Sequence, residues 1–220
     1  IADDAVTLVR DNGQVLPLLS KNLGTPQSSL AYQPEVQSVT NRTLVIIFTD
    51  DMRSDMGRAF ERQFRQRIPD AHVVYVDMRT AAAMSPQLLQ EAGEATKVIV
   101  PVYAIPSAGR GGGTGSIGLA EGMGNLLSSL VGQYGSKTAV VAMGNPYFGS
   151  DYPQILTYLC TFSNATVSEI SAVKALFGEI PIHGHLPVTI PGMAQRGAGI
   201  ERPTRLFTAG GSNDASHNRK

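Results

Sequence analysis

Four short runs of apolar, largely β-branched residues constrain this chain more than any other feature: 44–49 (LVIIFT), 72–76 (HVVYV), 98–103 (VIVPVY) and 139–143 (AVVAM). Three of them are continuous rather than alternating, the pattern of a strand covered on both faces. Helical periods fall between the runs. Met52, Met56, Phe60 and Phe64 recur every fourth residue while Arg58, Arg62 and Arg65 face away. Leu119, Met123, Leu126, Leu127, Leu130 and Val131 form a second apolar stripe. Strand and helix taking turns imply a parallel sheet with helices on both sides. Right-handed crossovers leave few topologies for it. The expected fold class is therefore α/β: a three-layer αβα sandwich with a doubly wound, mostly parallel sheet of about six strands, the last of them antiparallel.

The expected boundaries are as follows. Residues 2–18 read as an amphipathic helix ending in a short apolar clip, and 20–41 as a polar surface connection. Asp50-Asp51 is placed to cap the helix through Phe64, which Pro69 stops. Ser85-Pro86 reads as a helix start, with Pro at the first helical position. Residues 155–161 form a fifth strand, 168–177 a helix closed by Gly178, and 186–190 a last short strand before Pro191-Gly192. The organisation expected is an opening helix and connection over 1–43, the sandwich over 44–192 and a C-terminal extension over 193–220.

Bulk properties remove some function classes. The formal net charge is zero, so no general field attracts nucleic acid or an anionic membrane. No apolar run approaches the roughly 20 residues of a membrane-spanning helix. The single cysteine, Cys160, cannot form an internal disulfide and reads as a small core residue. Ile1 opens directly into a helical pattern, as in a piece of a longer protein.

Each motif in the chain also has a plainer reading. Gly113 to Gly118 fits G-x-G-x-x-G before a helix, the form of a dinucleotide loop. It lies well after its strand, however, and no Asp or Glu ends the following strand, so a loop rich in Gly for close packing explains it better. Asp50-Asp51 is reminiscent of a phosphoacceptor pair, but the third strand runs into Ala104-Ile105-Pro106 and supplies no acceptor. His183 and His185 flank Gly184 with no further metal ligands spaced nearby. Asn41-Arg42-Thr43 and Asn164-Ala165-Thr166 are sequons, which also arise by chance. The chain has no Trp, though Tyr103, Tyr147 and Tyr152 could stack on a sugar ring.

Three segments carry a family resemblance. ADDAVTLVRDNGQVLPL (2–18), VVAMGNPYFGSDYP (140–153) and SEISAVKALFGEIPIHGHLPVTIPG (168–192) resemble, in order, parts of the second domain of family 3 glycoside hydrolases. The resemblance implies a six-stranded αβα sandwich packed beside a (β/α)8 barrel, in an enzyme of the β-N-acetylhexosaminidase or β-glucosidase kind. It places the nucleophilic Asp on the barrel, outside this chain. In β-glucosidase-like members a Glu on a second-domain loop is the acid/base. In N-acetylglucosaminidase-like members a His with an Asp partner on a barrel loop serves instead. The loop here, 104–118, contains Arg110 and no Glu, while Glu121 fits better as an acid in a helix's first turn. This departure favours the N-acetylglucosaminidase branch.

The reading that follows is an accessory domain that is catalytically silent alone and walls a sugar cleft shared with a barrel. No catalytic residue, metal or cofactor is assigned to the chain. Arg110, Asn145, Tyr147 and Asp151 are the candidate cleft-facing residues, because they sit on loops expected at the carboxyl ends of strands. Asn145 and Tyr147 could equally just shape a turn. The face meant for the barrel would permit self-association. The alternative is a stand-alone flavodoxin-like module for a nucleotide or another small ligand, which only the Gly-rich loop supports.

Overall fold

The structure, a computed structural model, describes residues 1–19, 42–103 and 118–205. Its elements in chain order are α1 (Ala2–Ala5), β1 (Thr7–Asp11), β2 (Thr43–Phe48), α2 (Arg58–Arg67), β3 (His72–Val76), α3 (Ala81–Glu94), β4 (Lys97–Val102), α4 (Glu121–Tyr134), β5 (Thr138–Ala142), β6 (Thr157–Cys160) and α5 (Thr166–Leu176). The six strands form one sheet in the order β1-β6-β5-β4-β2-β3. All pairings are parallel except that of β1 with β6. Helices cover both faces, so the α/β sandwich holds. Among the described residues no helix is long and apolar enough to cross a membrane.

The continuous apolar runs explain the sheet. Every residue of β2, β5 and β6 is buried, and alternate side chains feed two separate cores. Leu44, Ile46, Phe48, Val98 and Val100 meet Leu88 and Ala92 of α3 and Leu126, Leu127 and Leu130 of α4. Val45, Ile47, Ile99 and Val141 meet Phe60 and Phe64 of α2 and Val173 and Leu176 of α5. On the second face Phe64 stacks edge-on against Phe177, with ring centroids 5.3 Å apart. Pro101 sits in β4, a central strand. The β2–β4 register runs from Thr43–Lys97 to Val45–Ile99 and resumes only at Phe48–Val102, so the residue with no N–H to give falls in the interruption.

Several boundaries differ from expectation. The helix expected to open the 2–18 segment is four residues long, and strand β1 takes Thr7–Asp11 in its place. That strand is the antiparallel one, at the sheet's edge beside β6. Val6 and Leu8 enter one core and Val9 the other, so a two-residue period hides in a stretch that also fits a helix. Conversely, 186–190 joins no strand. Leu186 and Ile190 are buried anchors, and Ile190 makes an isolated bridge to Ala194. Helix α2 starts at Arg58, so Asp51 does not cap it. Helix α3 starts at Ala81, and Ser85-Pro86 lies inside it, the Ser85 hydroxyl donating to the Ala81 carbonyl at 2.7 Å.

The segment after α5 folds back as a strap over β1. The Ile200 N–H donates to the Leu8 carbonyl (2.8 Å), and Ile182 and Arg202 exchange backbone bonds at 2.8 Å. Gly184 presses against the Val6 backbone so closely that a Cβ there would lie 2.4 Å from the Val6 carbonyl oxygen. The strap shields one edge of the sheet.

Candidate functional site

Strand β2 leads to β3 on one side, and the chain then returns to place β4 on the other. This reversal is the topological switch point, where sheets of this kind leave a crevice beyond the carboxyl ends of the strands. Thr49 to Asp51 follow β2, Asp77 to Thr80 follow β3, Tyr103 follows β4, and Met143 to Asp151 follow β5.

The connections after β2, β3 and β5 are built by short-range polar bonds. The Asp51 carboxylate accepts from the Arg53 N–H (2.9 Å) and pairs with its guanidinium (2.9 Å). The Arg53 side chain, then its N–H, hold the Asp51 carboxyl down at about 2. Asp77 is buried and accepts from the N–H groups of Arg79 (2.9 Å) and Thr80 (3.0 Å). Burial alone would push that carboxyl up, but these bonds, with the Thr80 hydroxyl, bring it below its usual value. Asp50 behaves in the opposite way, desolvation raising its carboxyl.

Three of the four candidate residues share the connection after β5. Gly144 turns the chain with φ +99°. The Asn145 side-chain oxygen then accepts the Tyr147 N–H at 2.9 Å, an Asx turn. Tyr147 opens a 3-10 turn, Tyr147–Asp151, closed by the Ser150 hydroxyl donating to the Tyr147 carbonyl (2.7 Å). Below it the buried Tyr158 hydroxyl donates to the Pro146 carbonyl (2.7 Å), and its ring packs edge-on against Phe148. Residue 149 must be Gly, since a Cβ would lie 2.8 Å from the Tyr158 ring. The anchored turn leaves Tyr147 36% exposed and Asp151 exposed at its far end. Burial first, then the Asp151 charge, push the Tyr152 phenol up to about 12. Asn145 and Tyr147 are thus joined, and Asp151 stands at the other end of the same turn. Arg110 lies outside the described residues, as does all of the Gly-rich motif except Gly118.

Other singled-out residues sit elsewhere. Cys160 is fully buried and its thiol is pushed far up by desolvation. His183 Nε2 lies 3.4 Å from an Asp4 oxygen on α1. Among the described residues no group of three or more His, Cys, Asp and Glu could hold a metal ion. Two hollows of about 490 and 530 Å3 are lined by Thr43 and Lys97 and by Arg42 and His72. These are residues at the opposite ends of the strands, away from the switch point.

Sequence reasoning missed Glu169. It is buried on α5, yet its carboxylate reaches α2 and accepts from the N–H groups of Gly57 (2.9 Å) and Phe60 (2.8 Å). Its charge, after burial, also pushes the Tyr103 phenol well above its ordinary range. An acid early in a helix carries no signal in sequence that it serves a different helix.

No protein-family model matches the chain, and comparison with curated proteins finds no match. Solved structures do match. A fungal multi-domain family 3 β-N-acetylglucosaminidase superposes with TM-score 0.62 at 20% identity, over 89% of this chain and 19% of that one. A family 3 β-N-acetylglucosaminidase from Paenibacillus gives 0.57 at 12% identity, over 83% and 30%. A β-glucosidase from Listeria innocua, in complex with isofagomine, gives 0.60 at 13%, over 87% and 26%. The chain therefore has the αβα fold of a part of these glycosidases and spans less than a third of their length.

Proposed function

We propose that this chain is the accessory C-terminal sandwich domain of a family 3 exo-glycosidase, packing beside a (β/α)8 barrel and helping to wall its sugar cleft. The superposition of 83–89% of the chain on a part of such enzymes carries this reading. A β-N-acetylhexosaminidase is the better fit within the family, because loop 104–118 offers Arg110 but no Glu to act as acid/base. Retaining glycoside hydrolysis requires two reacting groups held on either side of the sugar bond. No pair of carboxylates in this chain is assigned that work, so the chain alone is silent.

Tyr147 and Asn145 face the sugar in this reading, Tyr147 as a stacking ring and Asn145 as the residue that fixes its angle. Arg110 and Asp151 supply polar contacts to hydroxyl groups. The test is to incubate the chain with aryl β-N-acetylglucosaminides and aryl β-glucosides. The expected result is no turnover above buffer, together with N-acetylglucosamine-induced NMR shifts at Tyr147 that disappear in Tyr147→Ala. Turnover abolished by a substitution within this chain would overturn the accessory role.

A further inference from the structure

The sheet has two edges, and the chain treats them differently. At one, the strap lies over β1 through the Ile200 to Leu8 bond. At the other, β3 pairs residue by residue with β2, from Leu44–His72 to Phe48–Val76. No strand among the described residues pairs with its outer side. The strand reads His72-Val73-Val74-Tyr75-Val76, without Pro, Lys or a bulge to blunt it. Its residues from His72 to Tyr75 are exposed or only partly buried. Such an edge is a template for another strand.

The charge beside this edge differs between the two faces. On the α2 face the Arg58 guanidinium lies 4.1 Å from the Tyr75 ring centroid, and Arg65 donates to the Ala71 carbonyl at 2.8 Å. Cations thus sit beside both ends of β3. Arg62, one turn along from Arg58, is exposed. The Glu61 carboxylate lies among the α2 arginines, shared by Tyr75 (2.8 Å), Arg65 (2.9 Å) and Arg58 (3.7 Å), and Asp70 is exposed just before the strand, so the excess of cations rests on Arg62 and on the shared pairing of Arg58 and Arg65. On the α3 face the charge reverses, with Glu91 2.9 Å from His72 Nδ1.

We infer that the β3 edge is a docking site for an extended peptide segment with acidic residues at every second position. Side chains of an added strand alternate between faces. Those over α2 meet the arginines, and those over α3 must be neutral or basic to avoid Glu91. A second copy of the chain does not fit. Two β3 strands related by a two-fold axis pair antiparallel and keep their faces aligned, which sets the α2 arginines against one another. The edge lies at the end of the sheet, so this inference does not depend on the glycosidase reading.

The test uses the 220-residue chain and two synthetic peptides with alternating Asp and Thr or alternating Lys and Thr. Calorimetry and amide exchange are the readouts. The acidic peptide is expected to bind, to protect amides within Val73 to Val76, and to weaken with salt. Arg62→Glu should weaken it by about fivefold, the scale of one exposed ion pair. Equal binding of the Lys peptide, indifference to Arg62→Glu, protection elsewhere, or no binding would each overturn the proposal. So would a dimer in light scattering that Val74→Pro abolishes.

Discussion

The Glu169 carboxylate on α5 accepts the Phe60 N–H of α2 at 2.8 Å, across the second core. With the Gly57 bond at 2.9 Å, it satisfies two of the N–H groups that a helix leaves unpaired at its start. Gly57 itself offers no side chain for the purpose. Glu169→Ala leaves both donors buried without partners, and each such donor costs roughly 1–3 kcal/mol. A loss of about 3 kcal/mol is expected in urea unfolding, with Glu169→Gln losing less because its amide oxygen still accepts. A loss below about 0.5 kcal/mol, the size of a neutral surface change, would refute the cap.

Gly57 is constrained twice. Its φ is +84°, and a Cβ would lie 2.7 Å from Ile47 Cγ2. Gly57→Ala must strain the backbone and also push on a fully buried Ile. Overpacking of this kind costs about 1–3 kcal/mol, so the Tm should fall by several degrees. Unchanged thermal unfolding would contradict the tight approach.

Asp11 and Arg202 form an unequal pair. Asp11 is buried and accepts from the Val15 N–H (3.2 Å) and the Thr157 hydroxyl (2.9 Å), while Arg202 reaches it only at 3.5 Å. The Arg202 side chain is 43% exposed, so solvent screening limits its contribution to roughly 1 kcal/mol or less. Asp11→Ala should cost about 2–3 kcal/mol, since it strands two buried donors. Arg202→Ala should cost far less. Equal losses would mean that the strap, rather than the strand-to-strand bonds, holds Asp11 in place.

Asp77 and Asp50 predict opposite pH dependences. The Asp77 carboxyl is lowered in the folded chain, so its stabilisation is present above the unfolded value near 3.9 and is lost as pH falls through the folded value. The Asp50 carboxyl is raised by desolvation, so the folded state holds its proton more tightly. Its penalty grows as pH rises from about 3.9 and is complete above the folded value. Asp77→Asn should therefore destabilise at neutral pH, whereas Asp50→Asn, at an exposed residue where solvent screens the effect, should stabilise only slightly. Both differences should shrink below about pH 4. Parallel shifts from the two variants, measured by urea unfolding at several pH values, would contradict the assigned environments.

Element type was legible wherever the apolar period was long. Strands β2 to β5 and helices α4 and α5 fall within a few residues of expectation, because a continuous run such as Leu44–Thr49 suits little but a buried strand. The failures share a cause. Thr7–Asp11 fits both periods, and the open side of β6 decided for a strand. Leu186 and Ile190 have strand-like neighbours but are held by the strap's own bonds to Ala194 and Ala198. At the candidate site, the Asn145-Pro146 corner was readable as a turn, and its hydrogen bond to Tyr147 is local. The cap from Glu169 spans more than a hundred residues and left no local trace.

By itself, the amino-acid sequence determined the alternating elements, the two-sided burial of the sheet and the turn that presents Tyr147, because each leaves a local pattern of apolar or turn-forming residues. Tertiary structure alone decided which strand runs antiparallel, which edge is shielded and which carboxylate caps α2. Those outcomes depend on pairing surfaces and buried donors contributed by distant segments, whose free energies no local pattern encodes.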